Sequence, residues 1–80
     1  MNIQLIEGAF NSNDAIELIA QMINIKIKYH ENKINSHSNE EDIKTREAKI
    51  KQLQKELSEL RKAINSKTNS VKVEATIKIE

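Results

Sequence analysis

Lys26, His30, Lys33 and Arg46 are the residues whose types and spacing best suit chemistry in this 80-residue chain. At about 100° per residue, the first three project within or beside the apolar arc of a helix, away from its polar face. Arg46 stands in a second helix where the apolar period asks for an aliphatic side chain. Cations gathered on one surface can hold a phosphate, a carboxylate partner or a nucleic-acid backbone. The competing reading is that long Lys and Arg stems cover apolar surface while their heads reach water, with Glu31, Asp42 and Glu47 placed to neutralise them. Lys plus Arg number 13 and Asp plus Glu 12, a net charge of +1. That balance favours the solvated reading and argues against a dedicated nucleic-acid binder.

Other chemistries find less support. The chain has no cysteine, which removes thiol nucleophiles, disulfides and the cysteine-based zinc patterns. His30 and His37 lack the H-x-x-x-H spacing that puts two imidazoles on one helix face, and Glu31, Glu40, Glu41 and Asp42 read as solvated helix acids, so no metal site is expected. One glycine and no proline leave neither a nucleophile elbow nor a phosphate-cradling loop. Ser12, Ser36, Ser38, Ser66 and Ser70 fall where caps and turns already account for them. Phe10 and Tyr29 are the only aromatic residues, too few for base stacking. The expectation is a protein that is not an enzyme and uses no cofactor.

The elements that carry these residues follow from period and punctuation. Ile3 and Leu5 alternate with Asn2 and Gln4 before Ile6 breaks the phase, which predicts a short strand over about 2–7 with Gly8 as a bend or bulge on its way out. Asn11, Ser12, Asn13 and Asp14 are side chains that accept from the free N–H groups of a first helical turn. A helix over about 13–34 follows. Its polar arc is Glu17, Gln21, Asn24, Lys28, Glu31 and Asn32, and two apolar stripes lie outside that arc. Ile16, Ile19, Ile23, Ile27 and Ile34 form one; Leu18, Met22, Ile25 and Tyr29 form the other. A surface helix with one neighbour needs only one apolar face, so two neighbours are expected.

After the polar link from Asn35 to Asn39, Ser38 and Glu41 have capping-box spacing, and a second helix is expected over about 39–65. Glu40 and Lys44, Asp42 and Arg46, and Glu47 and Lys51 stand four apart in the favourable acid-first order. Ile43, Ile50, Leu53, Leu57, Leu60 and Ile64 make an apolar seam flanked by Lys49 and Glu56, a pattern that suits a hairpin or a coiled coil. Beyond a polar loop from Asn65 to Ser70, Val71, Val73, Ala75, Ile77 and Ile79 alternate with polar residues, giving a strand over about 71–79 with one face for a core.

The fold class is therefore α+β, a single domain in β-α-α-β order. A five-residue link makes the helices a long antiparallel hairpin, which would bring Arg46 near His30, and the strands at its open end pair as a two-stranded antiparallel ribbon. The strand-then-two-helices order is similar at fold level to ribbon-helix-helix regulators, from which the long helices and the C-terminal strand depart. An isolated ribbon is marginal and leaves two edges, so completion by a homodimer is expected, with Leu18, Met22, Ile25 and Tyr29 as the interface. Function is then that of a small non-enzymatic homodimeric interaction or structural module with room for a protein partner. The alternative is a regulator binding nucleic acid or another polyanion through Lys26, His30, Lys33 and Arg46. No apolar run reaches the roughly 20 residues of a membrane span. Met1 to Phe10 lacks a basic leader and contains Gln4 and Glu7, so a cytoplasmic setting is expected.

Overall fold

The computed structural model describes residues 1–35, 37–65 and 70–80, without the side chain of Asn65. Strand β1 (Asn2–Asn11) leads into helix α1 (Ser12–Lys33), followed by helix α2 (Glu40–Asn65) and strand β2 (Ser70–Lys78). The fold is α+β in the expected order, with β1 and β2 forming a two-stranded antiparallel sheet. Residues 66–69, within the loop expected between Asn65 and Ser70, lie outside the described residues, as does Ser36.

Strand β1 is longer than its sequence indicates. Instead of leaving the sheet at Gly8 it continues to Asn11, because Glu7, Gly8, Ala9, Phe10 and Asn11 find consecutive partners from Glu74 back to Ser70. Gly8 stays in the ladder with φ +140, a value that side chains with a Cβ rarely adopt. The irregularity lies earlier: Gln4 pairs with Thr76 and Ile6 with Ala75, leaving Leu5 as the extra residue of a β-bulge. That bulge explains the phase break in the sequence. Ile3 and Ile6 are an odd number apart and would face opposite ways on a regular strand, whereas the inserted Leu5 puts both on the side carrying Ala75 and Ile77.

On that side Ile6, Gly8 and Phe10 stand opposite Ala75, Val73 and Val71, all buried or half-buried. On the other side Glu7 stands directly opposite Glu74, an arrangement of like charges that weakens a sheet. The ribbon thus depends on its apolar face. Toward the free end that face runs past the helices, leaving Ile3, Ile77 and Ile79 exposed.

Both helices start on an asparagine cap. Asn11 Oδ1 accepts from the Asp14 backbone N–H at 2.9 Å while its Nδ2 donates to Asp14 Oδ2 at 3.0 Å. For α2 the cap is Asn39, not Ser38: Asn39 Oδ1 accepts from the Asp42 N–H at 2.8 Å. Ser38 instead closes the loop, accepting from the Asn35 N–H at 3.2 Å and donating to the Lys33 carbonyl at 3.1 Å. Its hydroxyl satisfies the end of α1, and Asn39 takes over the start of α2. Glu40, Glu41 and Asp42 place acid in that first turn, where the helix dipole favours it. Of the acid-first pairs, Glu40 and Lys44 meet at 3.4 Å; Arg46 leaves Asp42 for another partner.

The core is small. Ile6, Ala15, Ala20, Ile27, Leu53 and Ile64 are its buried apolar residues, and among the described residues no large side chain is fully enclosed. Ile16, Ile19 and Ile23 on α1, and Ile43, Ile50, Leu57 and Leu60 on α2, are half-buried. The seam of α2 is thus answered within the chain by α1, but only in part. Among the described residues no helix is long and apolar enough to cross a membrane.

Replacing Asn39 with Ala should lower stability by about 1 kcal/mol in urea unfolding followed by circular dichroism. A larger loss from Ser38→Ala, with Asn39→Ala neutral, would return the cap to Ser38.

Candidate functional site

The site forms where the last turns of α1 meet the first turns of α2. His30 follows Ile23 and Ile27 on the α1 face that packs against α2, because steps of three and four keep residues on one helix face. Arg46 lies one residue type out of place in the α2 seam, and the antiparallel hairpin sets the two misfits opposite each other. Arg46 Nη1 lies 3.1 Å from His30 Nδ1. His30 is only 6% exposed and is the buried polar residue among the described core.

This contact fixes a proton. A guanidinium has donors only, so Nδ1 must accept, and the neutral ring then carries its hydrogen on Nε2. Burial, followed by the positive charges of Arg46, Lys49 and Lys26, holds the imidazole below its ordinary pKa of 6.5, which favours the neutral ring. Nε2 is itself buried and has no hydrogen-bond partner among the described residues.

Tyr29 packs edge-on against His30, with ring centroids 5.4 Å apart and planes at 71°. Lys33 Nζ lies 5.6 Å and Arg46 Cζ 5.9 Å from the centre of the Tyr29 ring, within the range of cation–π attraction. The four cation-patch residues are thus brought together as two groups. Lys33 and Arg46 gather at Tyr29, while Lys26 lies with His30 in the wall of a pocket of about 270 Å³ completed by Lys49, Gln52, Leu53 and Glu56. Gln52 Nε2 donates to Glu56 Oε1 at 3.2 Å across one turn of α2. Lys49 and Glu56 were legible as residues flanking the seam; Gln52 carried no signal beyond its place one turn from Glu56.

Tyr29 serves two surfaces. It belongs to the stripe of Leu18, Met22, Ile25 and Tyr29, which are 37%, 36%, 68% and 53% exposed, and it also backs the His30 cluster. His37 is exposed in the loop, its N–H donating to Asn35 Oδ1 at 2.8 Å. Among the described residues no three His, Cys, Asp or Glu side chains gather as metal ligands would.

The depressed His30 pKa gives stability a pH dependence. The unfolded chain takes up the proton first as pH falls through the ordinary value of 6.5, so the contribution of His30 is complete above that pH and declines below it toward the folded pKa. Urea midpoints should therefore fall as the solution is acidified through this window, with a shallower fall in His30→Gln. Equal slopes for both proteins would assign the effect to other groups. Comparison with protein-family models, curated proteins and solved structures finds no match to this chain.

Proposed function

We propose that this chain is a small non-enzymatic homodimeric interaction or structural module, in which a second copy covers the stripe of Leu18, Met22, Ile25 and Tyr29. The observation that carries this reading is the area left open. The chain of 9.2 kDa exposes 6343 Å², against roughly 4,900 Å² for a compact monomer of that mass. The excess of about 1,400 Å² exceeds the roughly 800 Å² per partner buried in a standard protein interface. Its radius of gyration of 15.3 Å likewise exceeds the roughly 11.6 Å of a globular 80-residue chain. Part of that excess follows from the elongated, thin shape, with Cα extents of 47 × 32 × 13 Å. A second copy on the α1 stripe would turn one thin layer into a thicker one with a shared core, and the overhanging Ile3, Ile77 and Ile79 offer further apolar area.

The polyanion reading draws on Lys26, His30, Lys33 and Arg46 but has less behind it. Arg46 is engaged by His30 and the Tyr29 ring, and the net charge is only +1. Pull-down with and without nuclease separates the two readings, since nuclease-sensitive capture belongs to the regulator.

Light scattering behind a sizing column should give twice the 9.2 kDa chain mass at micromolar concentration. Ile25→Glu and Leu18→Glu should give monomers of unchanged helicity, because a carboxylate buried in an apolar interface is costly. A wild-type protein that runs as a monomer would refute the proposal.

A further inference from the structure

We propose that the free edge of β2 is a self-recognition site, where a second copy adds its own β2 antiparallel with Thr76 on the two-fold axis. The result is a four-stranded sheet in the order β1-β2-β2-β1. The proposal rests on the homodimer reading for its second copy and uses a surface apart from the α1 stripe. In the two-stranded sheet each strand has one unpaired side, but the two sides differ. The bulge at Leu5 interrupts β1, a device that discourages pairing at an edge. Strand β2 runs from Ser70 to Lys78 with no extra residue of its own. Ile79 donates its N–H to the Met1 carbonyl at 2.7 Å and accepts from the Met1 amino group, so its backbone faces β1. Backbone groups alternate in direction along an antiparallel strand, which turns those of Lys72, Glu74, Thr76 and Lys78 to the free edge. All four residues are exposed.

The side chains along this edge select the register. A two-fold axis sets residues opposite one another at equal distances from its centre. Centred on Thr76, the pairing places Glu74 opposite Lys78, and Lys72 opposite Glu80 two residues past β2, each twice by symmetry. Every charged residue from Lys72 to Glu80 then faces its opposite. On the other face Ala75 meets Ile77 and Val73 meets Ile79, so apolar residues match as well. Centring on Lys72, Glu74 or Lys78 sets that residue against its own copy, centring on Ala75 sets Lys72 against Lys78, and centring on Ile77 sets Glu74 against Glu80. Centring on Val73 avoids like charges but makes half as many opposite pairs and gives Ile77 and Ile79 no strand partner.

The Thr76 register also relieves two defects of the lone ribbon. Glu74 stands opposite Glu7 within the chain, and Lys78 of the second copy would flank it from the other side. Ile77 and Ile79 are 43% and 49% exposed and would come to lie beside the half-buried Ala75 and Val73 of the second copy. Lys78 now meets Glu80 at 3.5 Å with both side chains largely in solvent. Surface pairs of this kind contribute little, so both can turn to the second copy.

Amide hydrogen exchange of the full chain, followed by NMR, reads the edge directly. The N–H groups of Glu74, Thr76 and Lys78 should exchange about tenfold or more slowly than unbonded amides. Unprotected exchange there, in a protein of twice the chain mass, would overturn the edge and leave the homodimer standing. Protection that persists at that mass in Ile25→Glu would support the edge and remove the stripe as the interface. A monomeric wild type would overturn both. The register is tested by charge. Glu74→Lys and Lys78→Glu should each weaken self-association about tenfold, while the double variant E74K/K78E keeps the net charge of +1 and should regain the wild-type affinity. Lys at position 74 faces Glu7 favourably, so a weaker dimer in Glu74→Lys does not come from a weaker ribbon. Single variants that associate as tightly as wild type, or a double variant no better than the singles, would overturn the pairing about Thr76.

Discussion

Ile27 on α1 and Leu53 and Ile64 on α2 are the large aliphatic side chains that the hairpin removes most fully from solvent, and the contact between these helices sets the position of everything else. It fixes the hairpin as antiparallel, which returns the chain to the level where it left β1 and lets β2 pair with it over its whole length. It also sets the last turns of α1 opposite the first turns of α2, and so brings His30 to Arg46. Isolated helices of this length gain little from propensity alone. The seam is therefore the interaction on which both the ribbon and the candidate site depend.

The same seam is incomplete. Of its aliphatic residues Leu53 and Ile64 are buried and the others half-buried, and the residues of the second stripe of α1 stay 36% to 68% exposed. Hydrophobic stabilisation scales with the apolar area removed from water, so a thin molecule of this size has little to set against chain entropy. The ribbon adds a penalty of its own where Glu7 faces Glu74. These features share one cause: two helices and two strands arranged nearly in one layer have an inside only along the lines where they touch.

Within that geometry, and among the described residues, His30 is the buried polar side chain in a core that is otherwise apolar. Arg46 at an apolar position of α2 and His30 on the packed face of α1 would each be a costly misfit alone. Opposed, they exchange a hydrogen bond, and Tyr29 covers their outer side with its ring against both. What remains unmatched among the described residues is the Nε2 edge of the imidazole, which is buried without a hydrogen-bond partner.

The element order, the helix spans to within a residue or two, the antiparallel hairpin and the meeting of His30 with Arg46 were legible in the sequence, because each rests on periodicity or on a short connection, which are local properties. Period alone also separated the two stripes of α1. The length of β1, the bulge at Leu5 and the transfer of the α2 cap from Ser38 to Asn39 were not legible, since each depends on which partner a residue meets: a strand continues while its neighbour offers hydrogen bonds, and Ser38, with its hydroxyl directed to the end of α1, leaves the α2 cap to Asn39. The pocket likewise needed the tertiary structure. Lys26 and Lys49 are far apart in the chain, and only the packing of two helices puts both in the wall of one pocket with His30.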